Sequence, residues 1–217
     1  METMPSCSVI IDNYNYERFL QTAVDSALAQ TYPNVEVLVV DDCSTDGSRE
    51  IIAGYGDRIT PILLEQNGKQ AAALNAGFAA SEGEIILFLD ADDYLLPTAV
   101  EQIVAAFQLG SDADIGKVHF RLQVVDEDGE SMNYFIPSIG MSLATGEVWQ
   151  ELLQTSSYVS APMSGNAYHR ETLAPIFPIP NAYKTTADDY LMISSPFYAK
   201  KLAGIDEPIG AYRVHNS

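Results

Sequence analysis

The apolar positions in the first half of the chain alternate between short runs and helical stripes. Four runs are bounded by polar or turn residues and predict buried strands, at residues 8–11, 35–40, 59–64 and 84–89. Apolar residues recur between them at helical spacing, which predicts helices over residues 19–28, from 48, over 70–80 and from 97. Strands that alternate with helices predict an α/β fold, a mostly parallel sheet with helices on both faces.

The second half of the chain, from about residue 114, has a different pattern. Its elements are predicted as a hairpin of residues 117–126 and 133–136, helices over 145–154 and 186–200, and a strand over 205–214. Pro196 favours a break or kink in the second helix. Residues 162–168 are small and irregular and predict no regular element. Because no repeat or low-complexity linker separates the halves, we expect a single domain over residues 1–217.

Acidic side chains follow three of the predicted strands. The strand ends concerned are residues 12–14, 41–43 and 90–93. Ligands of parallel α/β sheets bind beyond these ends, so the three segments are expected to meet around one crevice. Asp90, Asp92 and Asp93 need solvent or a cation to offset their repulsion, and Mg²⁺ or Mn²⁺ prefers such oxygen ligands. A solvated acidic turn that caps the helix at Pro97 is the structural alternative.

Other side chains near this edge have both a functional and a structural interpretation. Asp41 and Asp42 suit hydrogen bonds to a nucleotide base or ribose, or capping of the next helix. Tyr14 suits stacking on a base, or an ordinary half-buried position. Lys69 lies in a Gln-Asn-Gly-Lys-Gln turn before a helix, where backbone N–H groups and one cation suit an anion. The structural alternative is that these residues form an ordinary turn that binds no anion.

Two further candidates lie in the second half. Asp188 and Asp189 begin a predicted helix, where a carboxylate either deprotonates a hydroxyl group or caps the helix. His215 follows the last predicted strand and is either a ligand or a structural residue. The order and placement of all these groups, rather than any one of them, point to a functional site.

Composition narrows the partners and the compartment. A net charge of −19 makes nucleic acid phosphates or an anionic membrane surface unfavourable partners, so a bound phosphate needs a metal or backbone N–H groups. The apolar runs are too short to span a bilayer, and no N-terminal signal pattern is present. Cys7 and Cys43 form no disulfide framework. We therefore expect a cytoplasmic protein, and peripheral attachment at the inner face of the membrane stays open.

Several motifs occur together in the first half. They lie at residues 8–15, 27–32, 36–47, 67–68, 74–77 and 83–84, and at 89–93 with a proline at 97. The set resembles glycosyltransferase family 2, and the second half matches only at residues 187–191 and 212–215. The resemblance implies a GT-A fold with a Rossmann-like sheet and a smaller mixed acceptor-side part. It also implies a nucleoside-diphosphate sugar donor, by family frequency UDP, and a divalent cation, Mn²⁺ or Mg²⁺.

The resemblance further implies inverting transfer of a hexosyl or N-acetylhexosaminyl group to a hydroxyl acceptor in glycan, polysaccharide or cell-wall synthesis. Residues 1–113 would form the nucleotide-sugar-binding half. Residues 114–217 would form the acceptor-binding half, which is complete or truncated at its C-terminus.

In the donor half the resemblance assigns a role to each matching residue. Tyr14 would flank the base, and Asp12 occupies a donor-site position. Asp41 and Asp42 would bind the base and ribose. Lys69 is not assigned by the resemblance, but a cation there would assist the metal in stabilising the charge of the departing diphosphate.

The cation and the reacting hydroxyl group have their own implied residues. Asp90 and Asp92 would form the metal-binding Asp-x-Asp pair, with Asp90 also in the donor site and Asp92 the more direct ligand. His215 would join the metal or diphosphate site. Asp189 would be the general base, with Asp188 as its acidic neighbour.

The chain departs from the family pattern at Asp12 and Asn13, where proline followed by a small residue is usual. An extra carboxylate there is expected to alter base choice or weaken donor binding, so a non-catalytic sugar-nucleotide-binding domain is one alternative. A nucleotidyltransferase is another, but it would favour a glycine-rich basic loop directly after the first strand. Asp-Asn-Tyr-Asn stands at that place instead.

Overall fold

A computed structural model describes residues 4–108, 114–184 and 186–215. Within them the strands are β1 (Cys7–Asn13), β2 (Val35–Asp41), β3 (Thr60–Leu63), β4 (Ile85–Asp90), β5 (Tyr94–Leu95), β6 (Ile115–Val125), β7 (Ser131–Ile136), β8 (Asn166–His169) and β9 (Lys201–Arg213). The α-helices are α1 (Glu17–Leu28), α2 (Ser48–Gly54), α3 (Lys69–Ala80), α4 (Ala99–Gln108), α5 (Trp149–Thr155), α6 (Arg170–Leu173) and α7 (Ala187–Ser194).

All of these strands belong to one sheet, in the order β3-β2-β1-β4-β8-β6-β9-β5, with β7 paired to β6. The pairs β3–β2, β2–β1 and β1–β4 are parallel, and so is β6–β9. Strand β8 is antiparallel to both β4 and β6. The first half is therefore a parallel, Rossmann-like sheet and the second half a mixed one, which confirms the predicted fold class.

Helices cover both faces of the sheet because β1 is apolar on both sides. Val9 and Ile11 face the core that contains α1 and α4, whereas Ile10 faces the core that contains α3 and α7. All three side chains are fully buried. A strand buried on both faces has a continuous apolar sequence instead of an alternating one. This explains the unbroken apolar runs of β1, β2 and β4.

Four predictions for the second half need correction. Residues 162–168, predicted as irregular, contain the start of β8. The predicted helix over 186–200 ends at Ser194, because Pro196 lies in a 3₁₀ turn that follows it. The predicted helix over 145–154 begins only at Trp149, and the last strand begins at Lys201, four residues before the predicted start at Ile205.

The division predicted between residues 113 and 114 borders residues 109–113, which lie outside the described part of the chain. Strands from either side of it share the one sheet. Among the described residues, no helix has both the length and the apolar character needed to cross a bilayer.

Candidate active site

The carboxyl ends of β1, β2 and β4 meet because these parallel strands pair in register. Asp12 lies beside Asp90 on β4, and Asn13 lies beside Asp41 on β2. A cavity of about 330 Å³ is present at this edge. Its lining includes six of the predicted site residues, namely Asp12, Tyr14, Asp42, Lys69, Asp90 and Asp92. The structure therefore brings together side chains that are up to 80 positions apart in the sequence.

The acidic group after β4 is compact. One oxygen from each of Asp90, Asp92 and Asp93 lies within 4.8 Å of those of the other two. Burial, with the nearby charges of Asp92 and Asp188, raises the pKa of Asp90 to about 7. The backbone N–H of Arg213 donates to Asp93 Oδ1 at 2.8 Å, which fixes that carboxylate against β9. Three such carboxylates are compatible with each other only if protons or a cation offset their charge.

Asp12 adds a fourth carboxyl group beside those of Asp90, Asp92 and Asp93. Burial, followed by the charges of Asp90 and Asp92, raises the pKa of Asp12 well above its usual value. The same charges, after burial, raise the pKa of Tyr16 to about 12. The cavity floor is therefore a region of strongly negative potential.

These residues fit a hard divalent cation. The donor set consists of carboxylate oxygens, which Mg²⁺ and Mn²⁺ prefer. Two buried oxygens, Asp12 Oδ1 and Asp93 Oδ2, have no hydrogen-bond partner. His215 Nε2 lies 2.9 Å from Asp92 Oδ2, and its ring packs against Phe19. His215 is thus in contact with a predicted ligand, and its own role at the metal stays a prediction.

The other side of the cavity is built by the loop before α3. Asp42 accepts hydrogen bonds from the backbone N–H groups of Gly68 and Lys69, at 2.7 and 2.8 Å. Burial raises the pKa of Asp42, although these two bonds oppose the effect. The ring of Tyr14 is 41% exposed, and Lys69 Nζ lies 5.8 Å from its centroid. An open aromatic face, a carboxylate and an amine therefore line one wall.

Asp41 does not share that wall, although it precedes Asp42 directly. Its side chain is fully buried and accepts a 2.7 Å hydrogen bond from Arg49 Nε. Asn13 Nδ2 and the Ser44 N–H also donate to it, at 2.9 and 3.0 Å. Burial alone would raise the pKa of Asp41, but these bonds outweigh it and lower the pKa. The predicted contact of Asp41 with base or ribose stays a prediction, and its carboxylate is occupied by protein groups.

Asn67 is a site residue that the motifs did not single out as chemistry. It lines the cavity, and both its side-chain Nδ2 and Oδ1 are buried without a hydrogen-bond partner. A buried amide normally satisfies its donor and acceptor. One sequence signal was present, since Asn67 lies in the polar turn between β3 and α3.

Asp188 and Asp189 lie in the first turn of α7, outside the residues that line the cavity. Asp188 is half-buried, and its Oδ2 accepts a hydrogen bond from the Met163 N–H at 3.2 Å. Its negative charge contributes to the raised pKa of Asp90, so the two carboxylates belong to one electrostatic site. Asp189 is exposed to solvent.

Comparison with known proteins shows the family to which the sequence belongs. The model for "Glycosyl transferase family 2" matches residues 8–173. The uncharacterized glycosyltransferase alr2836 of Nostoc sp. is 37% identical over 219 residues, covering 97% of this chain and 65% of that protein. The chain therefore spans less than two thirds of the length of that relative.

Solved structures agree on the fold. Staphylococcus aureus TarS in complex with UDP superposes with a TM-score of 0.74 at 24% identity, covering 96% of this chain and 60% of that chain. A mannosyltransferase from Pyrobaculum calidifontis, in complex with GDP-Man and Mn²⁺, gives a TM-score of 0.62 at 20% identity, covering 99% of this chain and 57% of that chain. These likenesses confirm the GT-A fold.

Proposed function

The chain belongs to glycosyltransferase family 2, and we propose that it transfers a sugar from a nucleoside-diphosphate donor to a hydroxyl acceptor. The observation that best supports this function is the cavity at the carboxyl edge of the parallel strands. An aromatic face, a buried amide and a group of carboxylates converge on it. These are the groups that a nucleoside and a cation-bound diphosphate need.

The nucleoside would bind beside Tyr14. Its exposed ring offers a stacking surface for a planar base. Asp42 and the unpartnered amide of Asn67 supply an acceptor and a donor–acceptor pair for the polar edge of that base. We favour UDP by family frequency, because the adjacent N–H and C=O groups that match an amide side chain are common to uracil, thymine and guanine. TarS has been solved with UDP and with UDP-GlcNAc, whereas the archaeal mannosyltransferase holds GDP-Man, so the fold alone does not select the base.

The diphosphate would lie above Asp90 and Asp92, with His215 at the side of Asp92. A divalent cation bound by these carboxylates supplies the positive charge that stabilises the departing nucleoside diphosphate. Lys69 is the one basic residue among the described residues that line the cavity, and it would contact the diphosphate or the base.

The acceptor hydroxyl group would lose its proton to Asp189 as it attacks the anomeric carbon from the face opposite the leaving group. Such an attack inverts the anomeric configuration. Asp188 lies beside Asp189 in the first turn of α7 and would be a positioning residue, since the backbone N–H of Met163 holds its carboxylate. We assign donor binding to residues 1–113 and acceptor binding to residues 114–217. The acceptor would be a growing glycan or a cell-wall or polysaccharide precursor on the cytoplasmic side.

Calorimetric titration of the protein with UDP, GDP and TDP tests the donor site. Each nucleotide is measured with Mn²⁺ and with EDTA, for the native chain, Asp92→Asn and the exposed control Asp57→Asn. We expect one nucleotide to bind only with Mn²⁺, binding to be lost in Asp92→Asn, and the control to behave as the native chain. No binding of any nucleotide in the presence of Mn²⁺ contradicts the proposal.

A second variant separates a transferase from a non-catalytic binder. With a panel of nucleotide sugars, Asp189→Asn is expected to bind the donor as the native chain does and to lose turnover. If the native chain binds the donor but neither hydrolyses nor transfers the sugar with any acceptor tried, the binding-domain alternative is correct.

A further inference from the structure

Asp12 lies beside the Asp-x-Asp pair but does not belong to it. It is the sixth residue of β1, and it pairs in register with Asp90 on β4, so both side chains start from neighbouring strands at the same level. Both line the cavity.

Two carboxylate oxygens at this edge have no hydrogen-bond partner in the described part of the protein. Asp12 Oδ1 is buried with no hydrogen-bond partner, and so is Oδ2 of Asp93, a residue that is only 2% exposed. In the described part of the chain, no lysine or arginine lies within 4.0 Å of a carboxylate oxygen of Asp12, Asp90, Asp92 or Asp93. A buried carboxylate without a counter-charge or a donor is costly, so these free oxygens point to a ligand.

From this geometry we infer that Asp12 is a direct ligand of the divalent cation, and that it lets this chain bind the cation before the nucleotide arrives. The inference rests on the proposed function, because the cation is the one that the donor diphosphate would share. Mg²⁺ and Mn²⁺ sites with one or two carboxylates usually depend on substrate phosphates to complete them. The additional carboxylate of Asp12, held at the level of Asp90 by the register of the sheet, would supply to the cation a ligand that a substrate phosphate would otherwise supply.

Mn²⁺ binding to the nucleotide-free protein tests this directly, with electron paramagnetic resonance of free Mn²⁺ and calorimetry as readouts. Native chain, Asp12→Asn, Asp92→Asn and the exposed control Asp57→Asn are compared. We expect the native chain and the control to bind one Mn²⁺, and Asp12→Asn to bind it at least about tenfold more weakly, the loss typical of perturbed metal sites. Asp92→Asn is expected to show no binding.

Thermal unfolding gives a second readout that does not depend on activity. Without metal, Asp12→Asn should have a higher Tm than the native chain, because the amide has no charge that folding must bury or protonate beside Asp90. This rise also shows that the variant folds. With saturating Mn²⁺, the native chain should gain more in Tm than the variant, since only tighter binding to the folded state adds stability.

Two results would overturn the inference. If Asp12→Asn binds Mn²⁺ without nucleotide as tightly as the native chain, Asp12 is not a ligand. If the native chain binds Mn²⁺ only together with UDP, cation binding does not precede the nucleotide, while the proposed function survives. Failure to bind any nucleotide even with Mn²⁺ would instead contradict the proposed function itself.

Discussion

Lys117 is buried in the second half of the sheet, and its charge should make the stability of the protein depend on pH. Its side chain is 0% exposed on β6. Nζ donates to the Tyr158 hydroxyl at 3.0 Å and to Ser160 Oγ at 3.3 Å, and it lies 5.3 Å from the ring centroid of Tyr168. Among the described residues, no carboxylate oxygen lies within 4.0 Å of it. We predict that the folded protein holds this amine largely neutral at mildly alkaline pH.

The size of the effect follows from the pKa. Burial lowers the pKa of Lys117 from 10.5 to about 7, although the charge of Asp188 opposes the shift. Between these two values the unfolded chain binds a proton that the folded chain does not, so the free energy of unfolding rises with pH. Below about pH 7 both states are protonated and the slope disappears. Integrated from pH 7 to pH 9, this one group adds about 2 kcal/mol to stability.

Urea unfolding at pH 7 and pH 9 measures this contribution. The native chain is compared with Lys117→Met, which keeps an unbranched apolar side chain but has no titrating amine, and with Lys184→Met, which removes an exposed lysine. The pH range avoids His119, whose pKa burial lowers to about 4. We expect the stability of the native chain relative to Lys117→Met to improve by about 2 kcal/mol from pH 7 to pH 9. The difference between native chain and Lys184→Met should not change.

A constant difference between native chain and Lys117→Met, within about 0.5 kcal/mol, would refute the reasoning. It would mean that Lys117 keeps its proton when folded. The hydroxyl groups and aromatic rings around Nζ, together with the charge of Asp188, would then stabilise the protonated amine enough to offset the cost of its burial.

Two further predictions concern the donor half. Gly77→Ala should lower stability by about 1–2 kcal/mol in urea unfolding, because a Cβ there would collide with the buried side chain of Ile10 and outweigh the gain in helix propensity. Gly54→Ala, also in a helix but with open space, should be neutral or stabilising, and equal effects of the two would contradict the argument. Arg49→Met should lower stability, because it leaves the buried carboxylate of Asp41 without its charged donor. Asp41→Asn in the same background should recover part of that loss, and no recovery would show that packing rather than charge is responsible.

The sequence predicted the donor half well because its signals are local. Runs of β-branched residues and helical stripes depend on neighbours a few positions apart, and both faces of β1 and β4 are covered. Strand β8 escaped prediction because it is only four residues long and is defined by its neighbours β4 and β6. Its Asn-Ala-Tyr-His sequence has no β-branched residue. Such a strand forms because it pairs with residues that are distant in the sequence, and a local pattern does not predict that pairing.

Within the site, the sequence predicted which strand ends matter but not which way each side chain points. Asp41 and Asp42 are adjacent residues of the same type, and the sequence pattern does not distinguish their roles. The structure buries the first against Arg49 and turns the second into the cavity, where the backbone of the loop before α3 binds it. Arg49 is eight positions from Asp41, with a loop and a helix start between them. A pair of this kind becomes visible only once the chain has folded.

The charge distribution at the cavity implies that donor and cation bind as a coupled pair. Asp12, Asp42, Asp90 and Asp92 line the same space as Lys69, so a diphosphate meets an excess of negative charge there. A divalent cation therefore has to raise the affinity for the nucleotide, and by linkage the nucleotide raises the affinity for the cation by the same factor. Every carboxylate that increases the affinity for the free cation also neutralises part of the positive charge of that cation. Less of this positive charge then remains to attract the phosphates. If Asp12 is a ligand, its removal must weaken binding of the cation alone more than it weakens binding of the nucleotide in the presence of saturating cation.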